Sequence, residues 1–288
     1  MTGILLIDKP TDWTSHDVVA KLRGLLRERR IGHAGTLDPM ATGLLTIFVG
    51  RATRAVTFAE AADKTYITRL KLGLVTDTQD ITGRVLQQSD TTVSRADLEA
   101  VLPRFLGEIQ QIPPMYSAIK VDGKRLYQLA RKGVEVERKA RPVTIRDIRI
   151  LGGADGEFDL EITCSKGTYI RTLCHDMGEV LGCGGTMSAL RRTRVGAFSL
   201  DEAYTLEQIV ATEDRGQFLR PVDTLFAGYP AVTVDGSQEW KIRNGQRVPM
   251  GAEALGHCRV YGEDGAFLAL GEVSGDGMLR VVKSFYAV

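Results

Sequence analysis

Cysteine is scarce in this sequence. The 288-residue chain carries four, Cys164, Cys174, Cys183 and Cys258, and no two of them form a C-x-x-C pair. Its four histidines, His16, His33, His175 and His257, are scattered. The spacing of the common structural zinc sites is therefore missing, and buried reduced thiols are the ordinary reading of such cysteines. Cys174, His175 and Cys183 are the one conceivable ligand set, and no metal is expected. A G-x-G-x-x-G turn and a P-loop are also missing, which argues against a nucleotide-dependent metabolic role. There is no internal repeat, heptad or low-complexity tract. No apolar run approaches a membrane span, and the opening MTGILLIDKP has a five-residue apolar stretch with no basic region before it. The expected location is the cytoplasm.

What is present is ordinary globular composition, 43% hydrophobic and 25% charged, in a chain long enough for one large or two unequal domains. The net charge of +1 hides an uneven distribution. Between Lys120 and Arg149, ten Lys/Arg stand against four Asp/Glu. Lys21 to Arg30 holds five basic residues against Glu28, and LRRTR contributes Arg191, Arg192 and Arg194. Basic runs in a neutral chain suggest a localised polyanion footprint such as RNA, although any single run could be a solvated helix face.

Residues 3–7 (GILLI) read as a short buried strand. Ser15 offers an N-cap to a helix whose Val18, Leu22, Leu25 and Leu26 share a face and which ends by RRIGH. LLTIFVG is a buried strand, residues 51–60 are helical, and KTYITRLKLG alternates with Tyr66, Thr68, Leu70 and Leu72 on one face. Ser94 and Asp97 form a capping box for a helix to about Phe105. Pro113 to Pro142 holds three prolines and most of the strongest basic run, with a short helix near RLYQLAR, and reads as a projecting insertion. Strands follow at VTIRDIRIL and FDLEITC, then a helix from about Thr168 to Leu181 and a strand at ALRRTRV. From about Gly228, AVTV, CRVY, FLALGEV and LRVV alternate with Gly and Asp turns, the pattern of a small β-rich domain with six basic and seven acidic residues.

GHAGTLDPMATGLL, residues 32–45, crowds three glycines and a proline around one acid, Asp38. Pro39 steers the Asp38 backbone toward extended conformations, and the glycines permit tight bends. The expected result is a fixed carboxylate on an open turn, the bland alternative being an Asx turn that only stabilises the loop. In SKGTYIRTL, residues 165–173, Gly167 leads into a helix whose first turn carries Tyr169 and Arg171. A cation there opposes the helix dipole by about 0.3–1 kcal/mol if exposed, a cost that a carboxylate partner offsets. Paired with Asp38, Arg171 would fix the acid's direction and keep it ionised well below neutral pH. The alternative is a surface arginine bound to nothing.

These segments, with KPTDWTSHDVV, KTYITRLKLG, TDTQDITG, PPMYSAIKVDGKRLYQLARKG and LRRTRVGAF, run in order over roughly residues 3–225. Together they resemble the TruB family of tRNA pseudouridine synthases. One departure is Asp12, where the family pattern usually has glycine. The resemblance implies an α+β fold, a pseudouridine synthase catalytic domain over residues 1–227 with a mixed, largely antiparallel central sheet flanked by helices. It further implies a basic thumb insertion at about 113–142 and a small β-rich, PUA-like RNA-binding domain over 228–288.

The implied reaction moves uracil from an N1 to a C5 bond on ribose C1′, at position 55 in the T loop of tRNA, with no cofactor. By resemblance Asp38 is the catalytic acid, either attacking C1′ or abstracting a proton on a glycal path. The base must flip out to be reached. Tyr66 would stack on it and can serve in proton transfer, Tyr169 and Leu190 would line the pocket, and His33 would press into the RNA loop. Arg171 is the supporting ion pair. Lys120, Lys124, Arg125, Arg131 and Lys132 would hold phosphates. The implied partner is tRNA, through its T arm and elbow, with the acceptor region on the C-terminal domain; a monomer and no membrane are expected. Two rival readings remain. One is the guide-RNA-dependent relative, disfavoured by the compact start at residue 3, since such chains carry added terminal segments. The other is a tRNA folding factor, which would need the aromatic and basic residues but not Asp38.

Overall fold

A computed structural model describes residues 1–286 except Thr91, Asp122, Arg131 and residues 251–254. The first elements are β1 (Gly3–Lys9), α1 (Ser15–Leu26), β2 (Ile31–Ala34), β3 (Thr42–Val49), α2 (Val56–Ala61) and β4 (Lys64–Leu72). Then come β5 (Leu74–Thr76), β6 (Val85–Gln88), α3 (Arg95–Val101), β7 (Gly107–Gln111), β8 (Lys120–Val121), β9 (Lys124–Arg125) and α4 (Leu126–Ala130). The larger, N-terminal part is completed by β10 (Arg141–Ala154), β11 (Glu157–Cys164), α5 (Ile170–Leu181), β12 (Gly185–Val195), β13 (Phe198–Ser199) and α6 (Leu206–Ala211). The remainder is β14 (Ala231–Val234), α7 (Gly236–Arg243), β15 (Val248–Pro249), β16 (Gly256–Gly262), β17 (Phe267–Val273) and β18 (Met278–Ser284).

The large sheet runs β1-β3-β12-β4-β11-β10-β7, with β2 on β3 and β13 on β12. Its neighbours are antiparallel except β12 and β3, which run parallel over Arg191↔Thr42 and Arg192↔Gly43. That short parallel contact sits where the GHAGTLDPMATGLL segment re-enters the sheet. Gly43 is required there: its φ is +98°, and a Cβ would collide with the Arg192 carbonyl oxygen.

The alternation expected for β4 is present, with Leu70 and Leu72 buried against α5 and α3 together with Phe158, Ile162, Leu173 and Met177. Helix α5 approaches β12 closely because glycines face each other, and a Cβ on Gly178 would overlap the Gly185 backbone. On the β1–β3 side, Val18, Leu22 and Leu26 of α1 bury against Leu5, Ile7, Leu45 and Ile47. Burying each such side chain contributes about 1.5–3 kcal/mol.

The cap of α1 is one residue earlier than its pattern suggests. Thr14, not Ser15, forms the capping box: its hydroxyl accepts from Asp17 N–H at 3.0 Å while its own N–H donates to the Asp17 carboxylate at 2.9 Å. Ser15 is freed for another task, accepting from Leu37 N–H at 2.9 Å. Within the insertion, β8 and β9 form a short hairpin leading into α4, whose Leu126 is fully buried.

The second sheet runs β14-β16-β17-β18-β15 with α7 beside it, a helix the β-rich pattern did not announce. An aromatic seam docks this sheet on the larger, N-terminal part. Phe226 meets Phe58 edge-on at 5.4 Å and Phe285 at 6.0 Å, and Phe285 stacks on Phe267 at 5.3 Å. Polar contacts flank it: Tyr261 Oη donates to Asp223 at 2.5 Å, and Arg54 donates to the Ser284 carbonyl at 3.1 Å. Among the described residues no helix is long and apolar enough to cross a membrane.

Candidate active site

The loop bearing Asp38 is held from three sides. Ser15 fixes Leu37, which is buried. Lys9, fully buried at the end of β1, donates to the carbonyls of Trp13 at 2.6 Å, Pro10 at 2.7 Å and Pro39 at 3.2 Å. Burial pushes its pKa down to about 8, against the pull of Asp12 and Asp38. Arg192, 1% exposed, donates through Nε to the Leu44 carbonyl at 2.7 Å and through Nη2 to that of Gly35 at 2.9 Å. Arg192 is therefore no part of a surface basic patch; it closes the two ends of the loop on each other. Arg191, next to it, turns to the other face and pairs with Asp8 at 2.8 Å.

Asp12 also finds its explanation here. Its N–H donates to the Pro39 carbonyl at 2.9 Å, and its φ is +63°. That left-handed conformation suits the glycine of the family pattern, and aspartate tolerates it better than most other residues.

Asp38 stands at the mouth of this frame, its side chain 38% exposed, with Oδ2 3.1 Å from Arg171 Nη2. Arg171, in the first turn of α5 and 7% exposed, has a second carboxylate partner: Nη1 is 3.2 Å from Asp80 Oδ2. Its Nη2 also donates to the Tyr116 carbonyl at 2.9 Å. One buried guanidinium thus bridges two acids, which offsets the dipole cost of a cation at a helix start.

Asp80 was not among the residues singled out from the sequence. Its Oδ1 accepts from Thr78 Oγ1 at 2.9 Å, Thr82 Oγ1 at 2.6 Å and Thr82 N–H at 3.0 Å. The signal was a buried acid flanked by threonines two residues away on either side in TDTQDITG, the pattern of a self-bonded turn. The electrostatics of Asp38 differ from the expectation as well. Burial pushes its pKa above the ordinary carboxylate value; Arg171 and Lys9 pull it back, and Asp80 adds to the rise.

Tyr66 is half-buried on β4, opposite Arg192 of β12. Burial raises its pKa, so at neutral pH it keeps its proton and can donate. Tyr169 opens α5, and the Arg171 guanidinium lies 5.9 Å from its ring centre. Leu190, half-buried on β12 opposite Thr68, helps Met40, Thr42 and Thr68 line an open hollow of about 400 Å³, a size suited to a small ligand.

His33 lies on β2, paired with Ile47 of β3. Its Nδ1 is buried without a partner, and burial with the nearby Arg192 charge lowers its pKa, leaving it neutral. Lys124 and Lys132 are exposed; Lys120 and Arg125 fall on the paired strands β8 and β9; Arg131 lies outside the described residues. The structure thus brings Asp38 and Arg171 into contact, with the Asp38 charge also acting on Tyr66 and Tyr169. A directed carboxylate beside two protonated phenols can attack or deprotonate a sugar carbon while an aromatic ring holds a flat base.

Known proteins resemble this chain over nearly its whole length. The TruB family pseudouridylate synthase N-terminal domain matches residues 23–170, the tRNA pseudouridylate synthase B C-terminal domain matches 171–227, and the C-terminal domain of pseudouridine synthase II TruB matches 230–282. The tRNA pseudouridine synthase B of Aromatoleum aromaticum is 45% identical over 279 residues, covering 96% of this chain and 90% of that protein. Its namesake from Pseudomonas fluorescens is 45% identical over 295 residues, covering 99% and 96%. Among solved structures, a chain of a Cbf5–Nop10–Gar1 complex superposes with a TM-score of 0.74 at 26% identity, covering 99% of this chain and 85% of that one. The mixed catalytic sheet with its appended PUA-like sheet is the fold these structures share. With matches spanning nearly its whole length, the chain belongs to the TruB family of pseudouridylate synthases.

Proposed function

We propose that this chain converts the uridine at position 55, in the T loop of tRNA, to pseudouridine, with Asp38 as its chemical centre. The observation that carries the reading is the Asp38 carboxylate, aimed by Arg171 at 3.1 Å and left partly open. Isomerisation breaks the C1′–N1 bond and forms C1′–C5; the C5 proton is released to solvent while N1 takes up one proton in its place. No electrons enter or leave, so the protein needs to supply only position, one ionised carboxylate and proton transfer.

In this reading the uridine flips from its stack toward Asp38, Tyr66 stacks on the base, and Tyr169 and Leu190 line the pocket that receives it. His33, neutral, presses into the loop beside the vacated base. The exposed Lys124 and Lys132, with Lys120, Arg125 and Arg131, meet backbone phosphates of the T arm and elbow. Residues 1–227 act as the catalytic unit, and 228–288 touch the acceptor region. The protein works as a monomer in the cytoplasm, on bare tRNA without a guide RNA. The relatives near 45% identity, which carry tRNA in their names, support the stand-alone reading over a guide-dependent one.

The test is release of tritium from a T-arm RNA labelled at uracil C5, by the wild type and Asp38→Asn, with RNA binding measured in parallel. Release lost in Asp38→Asn with binding retained supports the proposal. Binding without release by either protein would replace it with a guide-dependent enzyme or a folding factor.

A further inference from the structure

Strand β7 ends on a side chain turned toward the site. Gln111, its last residue, is 2% exposed and pairs with Arg141 at the point where the insertion leaves and rejoins the sheet. Its carboxamide meets the backbone of Tyr169 on both sides: Nε2 donates to the Tyr169 carbonyl at 3.1 Å, and Oε1 accepts from the Tyr169 N–H at 2.8 Å. Tyr169 is the N-cap of α5, with extended backbone (φ −99°, ψ 106°) and no capping bond from its own side chain. The Gln111 carboxamide does what a capping side chain would do, from 58 residues away.

Holding both polar groups of one residue fixes the peptide planes on either side of it. Those planes set the direction of the Tyr169 ring and the start of the turn from which Arg171 projects. Five residues beyond Gln111, the Tyr116 carbonyl accepts from Arg171 Nη2 at 2.9 Å. The root of the insertion therefore touches the beginning of α5 twice, once on its backbone and once on the guanidinium that aims Asp38.

We infer that Gln111 is a positioning residue for the isomerisation: through it the root of the basic insertion sets Tyr169 and Arg171, and through Arg171 the Asp38 carboxylate. The inference rests on the proposed function in taking Asp38 as the reacting group. Only a carboxamide presents a donor and an acceptor side by side at this reach; leucine presents neither, and glutamate presents both only when protonated. Among the described residues Gln111 acts on the backbone of Tyr169, and through it on Arg171, so its loss falls chiefly on the rate of the chemical step. A geometric error of this kind, far from the reacting bond, costs on the order of 10–100-fold.

The experiment compares wild type, Gln111→Leu and Gln111→Glu by single-turnover tritium release at saturating tRNA, by tRNA binding, and across pH. Gln111→Leu should lower the rate constant by roughly 10–100-fold, with a smaller change in Kd. Gln111→Glu should be as slow at high pH and regain rate relative to wild type as pH falls, because the protonated carboxyl restores both hydrogen bonds. The ratio of Gln111→Leu to wild type, with no titrating group, should stay flat. A full rate in Gln111→Leu, a defect confined to Kd, or a Gln111→Glu profile parallel to wild type would each overturn the inference.

A crystal structure of Gln111→Leu reads the same geometry without turnover. A displaced Tyr169 backbone and an opened Arg171–Asp38 pair are expected; an unmoved pair overturns the inference. That arm stands even if the wild type releases no tritium from tRNA, a result that would defeat the proposed function and not this one. If the leucine variant does not fold, the nearly isosteric Gln111→Glu carries both arms.

Discussion

Asp80→Asn separates two effects that Asp80 exerts on Asp38, the acid proposed to react. The two carboxylates sit on opposite terminal nitrogens of Arg171, at 3.1 and 3.2 Å, which places the two charges roughly 6 Å apart by guanidinium geometry. At an effective dielectric of ~20, like charges at that distance repel by about 3 kcal/mol. Asp38 is more than a third exposed, so water screens much of this. Removing the Asp80 charge therefore lowers the Asp38 pKa. In the proposed reaction the ionised carboxylate is the reactive form, so activity is present above that pKa and lost as pH falls through it; the acid limb of the variant should lie at lower pH than that of the wild type.

Position moves the other way. An asparagine oxygen can still accept from Thr78 and Thr82, but its NH₂ then faces the Arg171 donor. Arg171 is released on that side, and the plateau rate should fall on the order of 10–100-fold. The assay is single-turnover tritium release at saturating tRNA as a function of pH. A limb that stays in place or moves up refutes the electrostatic account, and an undiminished plateau refutes the positional one.

Three further outcomes follow from the same framework. In Arg192→Lys a compact ammonium cannot satisfy both Leu44 and Gly35; one buried carbonyl left unpaired costs about 1–3 kcal/mol, and a thermal melt indistinguishable from wild type would contradict this. Lys9 has a folded pKa of about 8 against 10.5 for the free side chain, so the unfolded chain binds more protons between those values. Stability measured against Lys9→Met should rise with pH through that window, by up to about 3 kcal/mol, and a falling difference would reverse the assignment. Lys124→Ala and Lys132→Ala should each weaken RNA binding without sequence preference and flatten the log–log salt dependence by about one, measured by titration at several ionic strengths.

Much of this was legible from periodicity, and the failures have physical causes. The alternation of KTYITRLKLG placed Tyr66 with Thr68 and Leu70, because a strand sends every second side chain to one face. The same rule, applied to Arg191 and Arg192 in a strand, would have sent one of them inward; reading LRRTR as a charge run hid the buried arginine. The Asp38–Arg171 pair followed from a cation in a helix's first turn. Asp80 did not, since nothing local ties it to a guanidinium 91 residues later. The pKa of Asp38 depends on how much chain covers it, a quantity no short motif records. Gln111 was invisible for a similar reason, its partners being backbone atoms of a distant residue.

The Phe226–Phe285–Phe267 seam gives the molecule the character of a calliper. Its two jaws, the Asp38 loop and the far sheet, meet across packed rings and not across a bare linker. An RNA that touches both jaws must match the opening between them, so its length and bend are gauged even though no base along the span is read. A fragment that fills only one jaw can meet the chemistry, but it escapes the measurement.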